Sequence, residues 1–266
     1  MKPEFTRFTA FLLDCDGVLW RGGEPIPGAP EAVEALRASG RKVLFFTNNA
    51  TLSRRGYLEK LRRLGFEAEP SEIYCSSYAA AAWLRGRVAK VYVVGEKGLV
   101  EELELAGLEN ANPDEAECVV VGLDRSLTYS KLEEALRCLT RGALFVATNR
   151  DPTLPTERGL APGAGAIVSA LETAAGREAD VVIGKPSTYM YELALMEHGI
   201  EAATALAVGD RLDTDVEGAK RAGIAAALVL TGATGLRELE RARVRPDFVL
   251  ASIRDLFERS REGGAA

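Results

Sequence analysis

The amino-acid sequence predicts an α/β fold built on a parallel sheet. Three observations lead there. Short, wholly apolar runs at residues 11–13, 43–46, 118–121 and 205–208 have the length and continuity of strands buried on both faces. Helical stretches separate them, as in βαβ units. Polar residues follow several of these runs at once, at the carboxyl ends where open parallel sheets bind ligands.

In chain order, strand 11–13 runs directly into Asp14-Cys15-Asp16-Gly17-Val18-Leu19-Trp20. Residues two apart in extended chain project to one side, so Asp14 and Asp16 leave the strand end together. Gly17 lets the chain turn away. Adjacent carboxylates repel and need a cation, a shared proton or a substrate; alone, the pair reads equally well as a polar turn. Residues 21–30, rich in Gly and Pro, form a loop, with Pro30 suited to the first turn of a helix over 31–38. Strand 43–46 ends in Thr47-Asn48-Asn49, and Ser53 then opens an amphipathic helix through Leu64 that Gly65 closes. Residues 73–75 read as a third strand and the Ala-rich 78–84 as a helix.

Further strands at 91–94, 118–121 and 144–147 alternate with helices at 97–106 and 129–140. Residues 149–165, with Pro152, Pro155 and Pro162, read as a long irregular segment, a kind usually functional or mobile inside a compact region. A helix over 166–175 follows. Strand 181–183 leads into Gly184-Lys185-Pro186-Ser187 and a helix over 188–197. Strand 205–208 ends in Gly209-Asp210-Arg211-Leu212-Asp213-Thr214-Asp215, before a helix that stops at Gly223. Strands at 226–230 and 248–250 and a helix over 252–259 complete the pattern.

The 266 residues are 47% hydrophobic and 27% charged, the balance of one large globular domain or two of moderate size. Net charge is −6 with no basic run, which argues against a nucleic-acid partner. No apolar run approaches the ~18 residues of a membrane span, and residues 11–13 meet Asp14 too soon for a signal peptide. A soluble, cytoplasmic protein without a membrane partner is expected. Cys15, Cys75, Cys118 and Cys138 form no metal-binding spacing; Cys75 and Cys118 read as small buried hydrophobes. Cys15 faces away from Asp14 and Asp16 and has no base nearby, so it is not a candidate nucleophile. The single histidine, His198, suits a helix C-terminus and is structural.

Four polar clusters therefore lie at strand ends: Asp14/Asp16, Thr47/Asn48, Lys185 and Asp210/Asp215. Taken singly, each is as readable as a turn or a helix cap. In order, DxDGVLW, TNN, GKP and GDRLDTD resemble the four motifs of the haloacid dehalogenase-like hydrolase superfamily, in particular its nitrophenyl phosphatase/NagD-like branch. The resemblance spans nearly the whole chain, including Tyr92-Val93-Val94-Gly95, Val121-Gly122-Leu123-Asp124-Arg125 and Ala147-Thr148-Asn149-Arg150-Asp151. It implies a doubly wound, mostly parallel Rossmann-like core (residues 1–83 and 180–266) with an inserted α/β cap domain (residues 84–179) and the site between them.

The resemblance also implies a Mg²⁺-dependent phosphatase that hydrolyses small phosphomonoesters through an aspartyl-phosphate intermediate. In that casting Asp14 is the nucleophile, and Asp16 protonates the leaving alcohol and later takes a proton from water. Mg²⁺ is held by Asp14, the backbone carbonyl of Asp16 and Asp210, with Asp215 in support. Thr47, Asn48 and Asn49 bind the phosphoryl group, and Lys185 neutralises charge. The second aspartate favours phosphatase over dehalogenase chemistry. The alternative is a phosphate-accepting binding or signalling module without turnover, but such a receiver is shorter and uncapped. A dinucleotide-binding protein would need a Gly-rich turn after the first strand, which this chain lacks. The expected partner is a small phosphorylated metabolite, selected by the 149–165 loop, with Arg158 as a candidate anion ligand. The residues leave the physiological substrate and a homodimer through the cap surface open.

Overall fold

The computed structural model describes residues 1–156 and 159–257. Its larger sheet runs in the spatial order Phe248–Leu250, Ala225–Val229, Ala205–Gly209, Ala10–Asp14, Lys42–Thr47 and Ile73–Cys75, with every neighbouring pair parallel. The chain starts in the middle of this sheet, steps outward through Lys42–Thr47 and Ile73–Cys75, and leaves. It returns on the other side of the first strand at Ala205–Gly209. That reversal creates a crevice at the carboxyl ends of Ala10–Asp14 and Ala205–Gly209, the place where doubly wound sheets bind ligands.

Between the two halves of this Rossmann-like core is an inserted α/β unit. Its sheet has the order Val181–Val182, Leu144–Ala147, Cys118–Val121, Lys90–Val94 and Glu109–Asn110, again all parallel. Alternation divides its two faces. Tyr92, Val94, Val119, Val121, Phe145 and Ala147 form one apolar cluster with the helices Tyr129–Thr140 and Ala164–Ala175. Val91, Val93, Cys118, Val120 and Val146 join the main core on the other side, together with Leu99 and Leu103. Burial of both faces is why these strands read as unbroken apolar runs. Each fully buried Val, Leu or Phe contributes about 1.5–3 kcal/mol relative to exposure. All four cysteines are free and buried.

Two tight joints connect the halves. At the first, Ser53 caps the helix Arg54–Arg63, its Oγ accepting from Gly56 N–H at 3.2 Å, while Arg54 N–H donates to Glu102 Oε1 at 2.6 Å. Gly98 lies so close that an added Cβ would sit 2.1 Å from the Leu52 carbonyl carbon. At the second, Ile183 and Gly184 N–H donate to the Ala147 and Thr148 carbonyls at 3.0 and 2.8 Å. This continued ladder places Val181–Val182 in the smaller sheet, although the sequence grouped those residues with the returning core.

Three further differences have local causes. The expected irregular segment 149–165 contains an antiparallel hairpin, Thr153–Thr156 with Gly159–Pro162, and its helix begins early, at Ala164. A free-standing two-stranded ribbon tolerates Pro155 and Pro162 because its outer edges need no ladder donors. A short pairing of Trp20–Arg21 with Glu24–Pro25 and a helix Leu236–Arg241 were not anticipated. The last helix is a 3₁₀ turn, Ile253–Leu256, whose buried Ile253 and Leu256 follow its three-residue period. Residues 258 and 259 of the expected helix, and Arg158, lie outside the described residues. Among the described residues no helix is long and apolar enough to cross a membrane.

Candidate active site

The parallel register brings the sequence-predicted residues to one edge. Leu13 pairs with both Val208 and Phe45, so Asp14, Thr47 and Asp210 emerge at neighbouring strand ends. Lys185, 171 residues from Asp14 in sequence, reaches the same point from the second joint: its Nζ donates to Asp14 Oδ1 at 2.5 Å and to Asp215 Oδ1 at 2.6 Å. All four groups, Asp14, Lys185, Asp210 and Asp215, are buried. Burial alone would pull the Lys185 ammonium down, but Asp14 and Asp215 hold its pKa well above the usual lysine value. Burial pushes the Asp210 carboxyl up to about 7, and Asp215 adds to the shift. Asp14 is raised by burial, against the pull of Lys185.

The cluster is thus three carboxylates against one ammonium. Asp14, Asp210 and Asp215 each offer an oxygen within 4.8 Å of the others. An all-oxygen set with uncompensated negative charge fits a hard divalent cation such as Mg²⁺, which takes one or two carboxylates and keeps several waters. The backbone is shaped around it. Asp210 Oδ2 accepts from Ala233 N–H at 2.6 Å, and a Cβ added at Gly232 or Gly17 would sit 1.9 or 2.4 Å from that oxygen. Gly17 also has φ +85°, so it is required both for the turn and for the approach.

Thr47 Oγ1 accepts from Asn49 N–H at 3.2 Å, and Asn49 Oδ1 accepts from Thr51 N–H at 3.0 Å, which fixes the turn after the strand. Asn48 does something the sequence did not suggest. Its Oδ1 accepts from Lys185 N–H at 2.8 Å, and its Nδ2 donates to the Lys185 carbonyl at 2.9 Å and to Asp151 Oδ2 at 3.1 Å. Both amide hydrogens are committed, so the Asn48 side chain positions the Lys185 backbone. Asp16 is half-buried, its Oδ1 accepting from Trp20 Nε1–H at 2.9 Å.

Above this edge is a cavity of about 590 Å³ whose wall includes Asp14, Asp16, Thr47, Asn48, Asn49, Lys185 and Asp210. The inserted unit supplies its other side through Leu123, Asp151, Leu154 and Leu160. Asp151 was not singled out from the sequence. Asn149 Nδ2 and Asn48 Nδ2 both donate to its Oδ2, and burial raises its pKa. Its position just past the strand Leu144–Ala147 was the available signal, since every other polar cluster of the site also follows a strand. Arg211, a second cavity residue missed in sequence, donates from its backbone N–H to Asp215 Oδ2 at 3.1 Å.

The chain is similar to known proteins over most of its length. The family description "Haloacid dehalogenase-like hydrolase" matches residues 11–109, and "HAD-hydrolase-like" matches residues 182–256. A glycerol-3-phosphate phosphatase of Gallus gallus is 41% identical over 92% of this chain and 90% of its own length. The p-nitrophenyl phosphatase from Archaeoglobus fulgidus superposes with a TM-score of 0.89 at 42% identity, covering 94% of this chain and 98% of that one. The glycerol phosphate phosphatase Rv1692 from Mycobacterium tuberculosis, solved in complex with magnesium, has a TM-score of 0.90 at 38% identity, covering 97% of this chain and 79% of that one. With its fold, its ordered motifs and these relatives in agreement, the chain belongs to the haloacid dehalogenase-like hydrolase family, in its p-nitrophenyl phosphatase-like branch.

Proposed function

We propose that this hydrolase is a Mg²⁺-dependent phosphatase of small phosphomonoesters that passes the phosphoryl group through Asp14. The observation that carries the reading is the Lys185 ammonium held between Asp14 and Asp215 at the floor of the cavity. A carboxylate approaching a phosphate dianion meets repulsion of roughly 8 kcal/mol at about 4 Å with an effective dielectric of ~20. Lys185 opposes that repulsion and holds the Asp14 carboxylate in place for attack. Asp14, the Asp16 carbonyl and Asp210, with Asp215 in support, would hold Mg²⁺, which would supply further neutralisation of the transferring phosphoryl charge.

Asp14 attacks phosphorus, and Asp16 delivers a proton to the departing oxygen. Asp16 then takes a proton from the water that cleaves the acyl phosphate, so hydrolysis is split into two transfers. Thr47, Asn49 and the backbone of Asn48 surround the phosphoryl oxygens, while the Asn48 side chain keeps Lys185 aimed. Residues 84–179 act as the cap that covers the leaving group and excludes water. Glycerol phosphate and p-nitrophenyl phosphate, the substrates in the names of its relatives, are of the size and class the reading requires.

The test is phosphate release from p-nitrophenyl phosphate with Mg²⁺. Wild-type protein should turn over steadily and lose that activity in excess chelator. Asp14→Asn should lose at least about 1,000-fold in kcat, as removal of a nucleophile does. Sustained turnover by the variant, or none by the wild type across a phosphomonoester panel, overturns the reading.

A further inference from the structure

Trp20 closes the first motif, yet the chemistry above gives it nothing to do. It is fully buried, and its indole Nε1–H is spent on one acceptor, Asp16 Oδ1 at 2.9 Å. The backbone prepares that contact. Gly17 N–H donates to the Trp20 carbonyl at 2.8 Å and Trp20 N–H donates to the Cys15 carbonyl at 3.2 Å, folding residues 15–20 into a turn that returns the indole to Asp16. The ring is held from outside the turn as well: Lys60 Nζ lies 4.2 Å from its centroid, and Phe66 meets it edge-on at 6.4 Å. A buried tryptophan N–H needs an acceptor, and here that acceptor is a carboxylate in the cavity wall.

An indole N–H donates and cannot accept. Asp16 Oδ1 is therefore the accepting oxygen, and Oδ2 is the oxygen the indole leaves to carry a proton. We propose that Trp20 is a positioning residue for phosphoryl transfer: it clamps Oδ1 so that Oδ2 is presented to the leaving-group oxygen. This rests on the phosphatase reading above. In the first transfer an Asp14 oxygen bonds to phosphorus as the ester P–O bond breaks. The bonding pair departs with the ester oxygen, which takes the Oδ2 proton, and Asp16 remains as a carboxylate.

The clamp matters in proportion to how much the leaving group needs a proton. An alkoxide needs it; a nitrophenolate scarcely does. The experiment is Trp20→Phe, with Mg²⁺ and enzyme in excess over substrate, so that only the first transfer is read. Release of alcohol from glycerol 3-phosphate, or another alkyl phosphomonoester that the wild type hydrolyses, should fall about tenfold to a hundredfold, the scale of a misplaced reacting group. Release of nitrophenol should fall less than about threefold. Lys60→Met, which leaves the N–H in place, should keep the wild-type ratio between the two substrates.

If Trp20→Phe does not fold, benzothienylalanine can replace tryptophan in a Trp83→Phe background, since Trp20 and Trp83 are the only two tryptophans. That residue keeps the shape and removes the N–H, and the same change in ratio is expected. Equal losses on both substrates, no loss on either, or a wild type active only on aryl esters would each overturn the clamp and leave the phosphatase intact. A wild type inactive on every phosphomonoester removes the function itself.

Discussion

The two parallel sheets end in similar polar edges, yet among the described residues only the larger gathers three carboxylates close enough to share a cation. On the smaller sheet, Asp124 follows the strand Cys118–Val121 much as Asp210 follows Ala205–Gly209. Burial pushes the Asp124 carboxyl up, but hydrogen bonds from Lys131 and Ser126 outweigh it and hold the pKa below the usual range. Glu96, beyond Lys90–Val94, is likewise lowered by its two-point hydrogen bond to Arg125, with both contacts at 2.7 Å. On the larger sheet Asp14 and Asp215 share Lys185, while Asp210 beside them has no ion pair of its own among the described residues and is driven up to about 7, chiefly by burial. Sheet type and edge are the same; what differs is whether the charges are compensated from within the chain. An edge that keeps unsatisfied charge is reserved for a ligand.

Lys185→Met should break the contrast most severely. It removes the cation in direct contact with Asp14 and Asp215 and should lower kcat about 100–1,000-fold in a steady-state phosphatase assay. Gly232→Ala tests whether the three-carboxylate cradle is metal-shaped. A methyl group 1.9 Å from Asp210 Oδ2 must displace that oxygen, and the Mg²⁺ concentration for half activity should rise about 10–100-fold. A titration of activity against Mg²⁺ reads this directly.

The compensated edge should answer in stability and leave catalysis untouched. Asp124→Asn should cost about 1–3 kcal/mol in denaturant unfolding at neutral pH, because Lys131 loses its buried partner. The native pKa of Asp124 lies below the unfolded value of ~3.9. Its contribution is therefore complete above about pH 4 and is lost as pH falls through the native value, so the gap between wild type and variant should close in acid. Arg125→Ala, removing an exposed partner, should cost no more than about 1 kcal/mol with kcat unchanged. A large loss of activity in either variant would show that the smaller edge takes part in catalysis.

Much of this was readable along the chain. The apolar runs, the Ser53 cap and the polar residues after strands are short-range signals, each contained within a turn or two. The hairpin at 153–162 was hidden by its prolines, which are poor strand formers until a ribbon with free edges accommodates them. Asn48 was expected among the residues that bind the phosphoryl group, and it lines the cavity. Its side-chain amide holds Lys185 and Asp151, partners 137 and 103 residues away that no local pattern reveals.

By itself, then, the sequence determined the alternation of strands and helices, the family and the strand ends at which the polar residues cluster. Periodicity and motif order are properties of neighbouring residues and survive without coordinates. The tertiary structure alone decided which charges pair and which remain open. It brought Lys185 to Asp14 and Asp215, set Asp210 beside them, and turned the Trp20 indole back onto Asp16. Charge compensation acts over a few ångströms between groups distant in sequence, so it is settled only when the chain has folded.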